Sequence, residues 1–168
     1  MDASVVIGTT LVTPLMEQAH ESRDLALKRA DDLGLKLQPS IVAIACAAMA
    51  VEAEVNWQAD RYDRAWLDAN EKMMPPKKWK AWIKHRNKGI SVDLGSGLGL
   101  RVVELFQDRN LIVHFRGVPD GKGTLKIHQP PDASNSGISA VRAWFTPERA
   151  RRHVATAEES IAILASLT

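Results

Sequence analysis

The sequence predicts an all-α fold, an up-and-down helical bundle with a small irregular or β-hairpin insertion before its last helix. Three observations predict it. Apolar residues recur at three- and four-residue spacing in one segment after another. The segments are separated by Pro- and Gly-containing breaks of the kind that start and stop helices. The one long stretch without helical spacing, residues 117–137, is rich in Gly, Pro, Asp, Asn and Ser, and a final amphipathic segment follows it.

Residues 1–12 are β-branched and broken by Gly8, and read as an N-terminal arm, loose or a short strand. Residues 13–168 read as a single helical domain. Thr13 and Pro14 start the first helix, the Thr as cap and the Pro in the first turn, and Gly34 stops it. Pro39 and Ser40 open a second helix over 41–59. Its first eleven residues, 41–51, are all apolar, which marks a central helix packed by neighbours on every side. A third helix spans 61–72 with Trp66 and Leu67 inward. Pro75 and Pro76 begin a fourth over 77–87, closed by Gly89, and Gly95-Ser96-Gly97 lead into a fifth over 98–116. Within the turn-rich region 125–128 reads as a short strand, and 138–145 as a second strand or an extended segment. Thr146-Pro147-Glu148 starts the last helix, with Val154, Ala157, Ile161 and Leu164 on one stripe.

A chain of 168 residues can bury one real core. Its net charge of +2 permits a polyanionic partner without requiring one. The single Cys46 cannot form an intramolecular disulfide, and the longest apolar run is too short to span a bilayer. A soluble, cytoplasmic domain with no membrane partner is expected.

The fifth helix carries an anomaly. At about 100° per residue, Leu98, Val102, Leu105, Ile112 and Val113 share a face, and Arg109 falls near its middle. Asn110 and His114, four residues apart, lie together on the flank. A buried guanidinium needs a partner, because an unpaired buried charge costs several kcal/mol. Glu52, the first charged residue after the apolar run, supplies one if it faces inward, and Asn56 one turn on would join the network. On one reading that pair is purely structural. On the other, Arg109 is held for a ligand.

Arg109-Asn110-x-x-x-His114 resembles the Arg-x(4–6)-His signature of HEPN domains, in the form where a polar residue follows the Arg. The helix ending Glu52-Ala53-Glu54-Val55-Asn56-Trp57 is similar to the central helix of many such domains. The order of elements is similar too: apolar helix, Trp/Lys-rich segment, Arg–His helix, closing helix. The resemblance spans residues 14–168. It implies a HEPN-like bundle, often a homodimer in which two Arg–His helices meet in a composite groove.

Active members of that family are metal-independent endoribonucleases. The resemblance therefore implies an RNA-targeting or toxin-like protein, with a protein antitoxin or neighbour-encoded partner, and no cofactor. It assigns His114 as general acid/base, Arg109 as the phosphate clamp and Asn110 as an orienting group, with the 2′-OH as nucleophile and a cyclic phosphate product. Glu52 and Asn56 would be the supporting polar network. Many HEPN proteins are instead catalytically silent modules for dimerisation or for binding nucleotides or partners, which is the second class of function. Arg109 and His114 are five residues apart, about 140° around a helix, so one helix does not aim both at one atom. Either two chains supply the pair, or Arg109 is structural and His114 stands alone.

Other motifs compete. Ser91-Val92-Asp93-Leu94-Gly95-Ser96-Gly97-Leu98-Gly99 looks like the S-adenosylmethionine loop of class I methyltransferases. That loop needs a strand before it and a second strand ending in an acid, whereas the next apolar run ends in Arg116. The glycines read better as the flexible lead-in to the fifth helix, capped by Ser96 or Asp93. Lys77, Lys78, Lys80 and Lys84 interleave with Trp79 and Trp82, a mix that suits phosphate contact and base stacking. The helical spacing of Trp79, Trp82, Ile83 and Arg86 instead makes the Trp rings core and the lysines a solvated face. Arg149, Arg151, Arg152 and His153 oppose the dipole at the start of the last helix, which leaves room for a phosphate or an acidic partner nearby without requiring one. His20, His85, His128 and His153 lack metal-ligand spacing, and no metal site is expected.

Overall fold

The structure, a computed structural model, describes residues 3–32, 36–114 and 143–167, with side chains over 11–32, 36–113 and 143–167. Gly34, Arg116, His128, the strand read at 125–128 and nearly all of the irregular insertion lie outside the described residues. Among the described residues all regular structure is helical and no strand occurs. The fold is all-α.

The helices are α1 (Ala3–Lys28), α2 (Leu37–Tyr62), α3 (Arg64–Ala69), α4 (Pro75–Arg86), α5 (Gly97–His114) and, closing the chain, α6 (Pro147–Ala165). Several boundaries differ from the sequence reading. Helix α1 begins at Ala3, so residues 3–12 are helical rather than an arm or a strand, and Pro14 lies inside the helix. Proline removes its own N–H from the ladder but already has a helical φ, and local propensity is a weak prior. Helix α2 runs past residue 59 to Tyr62, and α3 is confined to Arg64–Ala69. Asp63 causes both: its extended backbone ends α2, while its side chain accepts from the Trp66 N–H at 2.9 Å and caps α3. Finally, Ala143 and Trp144, read as part of a strand, are helical.

Helix α2 is the centre. Ala43, Ile44, Ala47, Ala48, Ala50 and Val51 are fully buried, and the helix contacts every other one. Its alanines let neighbours approach closely on several sides. By length and composition alone α2 could cross a membrane, but half of its most apolar window is buried inside the bundle, as in a core helix. Trp79, Trp82 and Ile83 of α4, Val102 and Leu105 of α5, and Val154, Ala157 and Leu164 of α6 complete the core. Thr146 caps α6 by accepting from the Arg149 N–H at 3.2 Å, the start its Thr-Pro-Glu sequence predicts.

The glycine loop is a hydrogen-bonded lead-in to α5. Asp93 accepts from the Gly95 N–H at 2.9 Å and the Ser96 hydroxyl at 2.8 Å. A side chain at Gly99 would start 2.1 Å from the Asp93 carbonyl oxygen, so only glycine allows this approach. No strand flanks the loop among the described residues, so its glycines serve helix packing here rather than a nucleotide-binding sheet.

Candidate functional site at the C-terminal end of α5

Three ion pairs tie α5 to α6 in antiparallel order: Arg101 with Glu159, Glu104 with Arg152 at 3.5 Å, and Asp108 with Arg149. The last is the centre of a buried network. Asp108 is 1% exposed and His153 is fully buried. The Asp108 carboxylate accepts from both Nε and Nη2 of Arg149, from His153 Nε2 at 2.8 Å and from Trp144 Nε1 at 3.0 Å. The Arg149 guanidinium also lies 4.1 Å from the centre of the Trp144 ring. Burial pushes the Asp108 carboxyl up, but the hydrogen bonds from His153 and Arg149 outweigh it and hold it below the ordinary aspartate range. The acidic partner beside the cations of α6 is thus Asp108, with Glu104 for Arg152. The cations signalled it in the sequence, but Asp108 lay off the stripe on which Arg109 drew attention.

One residue on, Arg109 is not the buried charge that the sequence suggests. The α5 face is buried through Phe106 and then emerges from the bundle, with Leu111 and Ile112 half-buried and Val113 55% exposed. Arg109 lies on this emerging part, its side chain 27% exposed. Its Nη1 donates to Asn110 Oδ1 at 3.2 Å. Its Nη2 is 3.8 Å from Glu52 Oε2, beyond hydrogen-bond distance, and the Glu52 side chain is 35% exposed. The pair exists, but at the rim rather than in the core. Asn56 does not complete it: its Oδ1 is buried without a hydrogen-bond partner. Position 114, the last residue of α5, shares this end of the helix, and the His114 side chain lies outside the described residues.

A rim pair of this kind is worth about 1 kcal/mol or less. Glu52→Ala should therefore lower the unfolding free energy in urea by no more than that. A loss of about 3 kcal/mol or more would mean that the pair is sealed.

The buried acid of α2 is Glu54 instead. It is 9% exposed and accepts from Gln58 Nε2 at 2.7 Å, while Gln58 Oε1 accepts from Trp82 Nε1 at 2.9 Å. Burial raises the Glu54 carboxyl above the ordinary glutamate range, against the hydrogen bond from Gln58. A raised carboxyl costs stability once it ionises, at pH above its folded pKa, and costs nothing below its unfolded pKa. Glu54→Gln should therefore stabilise the fold at neutral pH, with the gain vanishing in acid, as read from chemical melts across pH.

The α4 lysines do not form one surface. Lys77 and Lys84 are exposed and Lys80 is half-buried, whereas Lys78 is 7% exposed and does not share their face. Burial lowers its ammonium pKa, against the negative charges of Glu52 and Glu71. Trp79 and Trp82 are core, as their spacing indicates. The rings of Trp66 and Trp82 lie 4.9 Å apart, and His85 stacks on Trp66. Among the described residues no group of His, Cys, Asp or Glu side chains could hold a metal ion.

Comparison with protein-family models, with characterised proteins and with solved structures finds no match to this chain.

Proposed function

We propose that the protein is a metal-independent endoribonuclease of HEPN-like architecture, acting as a homodimer whose sites form where the C-terminal turns of two α5 helices meet. The observation that carries this reading is the position of Arg109. Its guanidinium stands at the emerging end of α5, partly exposed, with one hydrogen bond and one loose ionic contact among the described residues. A guanidinium has five N–H donors in a fork that matches phosphate, so most of its binding capacity is unspent. Asp108, locked to α6 immediately before it, fixes the helix turn from which Arg109 and Asn110 project.

In the proposed reaction His114 takes the proton of a ribose 2′-OH, and the 2′ oxygen attacks the adjacent phosphorus. The bond from phosphorus to the 5′ oxygen breaks, and that oxygen receives a proton from the imidazolium. Arg109 stabilises the charge that develops on the phosphoryl oxygens. The products are a 2′,3′-cyclic phosphate and a 5′-hydroxyl. A toxin-like role, with a protein antitoxin or neighbour-encoded partner, fits an enzyme of this kind.

Incubation of the purified protein with total cellular RNA, with and without a chelator, tests the reading. Cleavage that survives the chelator and leaves cyclic phosphate ends is expected. No cleavage under any condition would assign the protein to the second class, a silent module for dimerisation or partner binding.

A further inference from the structure

We propose that Glu52 is a displaceable counter-ion of Arg109, and that Lys78 is the cation that retains Glu52 when a phosphate takes its place. The inference rests on the RNA-binding site proposed above and adds how that site is held ready. Glu52 lies near two cations from different helices and is in ionic contact with one of them. Arg109 of α5 approaches to 3.8 Å, at the outer edge of ionic contact. Lys78 of α4 lines the same narrow crevice as Glu52, together with Val55 of α2 and Phe106 of α5, and stands beyond ion-pair distance of the Glu52 carboxylate.

The two cations are unlike. Lys78 is 7% exposed and has the negative charges of Glu52 and Glu71 nearby, while Arg109 is more open to solvent. A phosphate offers Arg109 charge-assisted, bidentate hydrogen bonds that Glu52 does not make at this distance. Exchange of carboxylate for phosphate on Arg109 therefore leaves Glu52 in the crevice it shares with Lys78. Before RNA arrives, Glu52 keeps the rim cation from capturing other anions. Asn56, whose buried Oδ1 has no partner one turn along α2, offers no competing bond to Glu52 from that oxygen, because both groups are acceptors.

The test measures binding of a short fluorescent 2′-O-methyl RNA, which cannot be cleaved, at low salt. Glu52→Gln keeps the shape of a half-exposed side chain and should tighten binding roughly three- to tenfold, from the loss of a competing pair and of a negative charge beside the phosphate. Lys78→Met, which suits a buried position, should weaken binding about threefold in the wild-type background and have no effect in the Glu52→Gln background, because it acts only through Glu52. Unchanged thermal melts in both variants establish that the fold is intact. Binding that depends on Arg109 but is not tightened by Glu52→Gln overturns this inference alone. So does a Lys78→Met effect that persists without Glu52. Equal binding by wild type and Arg109→Ala removes the phosphate site itself, and the inference with it.

Discussion

Asp108→Ala is expected to lower the unfolding free energy by about 3–5 kcal/mol. The carboxylate is the shared acceptor of Arg149, His153 and Trp144. Its removal leaves a half-buried guanidinium, a fully buried imidazole and an indole N–H without their acceptor, together with a cavity. His153 Nδ1 already lacks a partner, so the ring has no second bond to fall back on. Urea unfolding checks the magnitude. The same carboxylate sets an acid limit. A depressed folded pKa contributes stability that is complete above the unfolded value and is lost as pH falls through the folded one. Wild type should lose this contribution progressively as pH falls below the ordinary aspartate range, and Asp108→Asn should flatten that part of the pH–stability curve. A loss under about 1 kcal/mol for Asp108→Ala would mean that the network does not hold α5 to α6.

His114→Ala is expected to reduce RNA cleavage by about 10²–10⁴-fold, the range that one general acid–base group supplies. It should leave binding of an uncleavable RNA nearly unchanged. Arg109→Ala should reduce both, because a phosphate clamp acts in the ground state as well as the transition state. Gel-based cleavage rates beside binding curves separate the two roles. Equal cleavage by wild type and His114→Ala would place the chemistry elsewhere.

Much of the fold was legible because its punctuation is strong. Pro75-Pro76 and Thr146-Pro147 start helices where their chemistry says they should, and the uncharged run from Ile41 to Val51 does mark the central helix. Boundaries failed where one residue plays two roles, as Asp63 does in ending α2 and capping α3. At the candidate site, helical periodicity put Arg109 on the apolar face correctly but could not tell that the face leaves the core after Phe106. Periodicity gives direction around a helix and says nothing about where along its length the neighbours stop. Glu52, expected inward as the first charge after the apolar run, lies at the rim instead; the buried acid of α2 is Glu54, and that of α5 is Asp108, one residue from Arg109. Lys78 illustrates the same limit: four lysines alternate with tryptophans in sequence, yet only some of them face solvent.

The geometry of the proposed site allows a direct test. Arg109 and His114 diverge by about 140° on one helix, so the site as proposed takes the arginine from one chain and the histidine from the other. The Arg109→Ala and His114→Ala proteins should each fail to cleave RNA alone. Mixed under conditions that exchange subunits, they form heterodimers with one intact site, and cleavage should return in the presence of a chelator. A wild-type protein that cleaves while every mixture stays inactive would contradict the composite site.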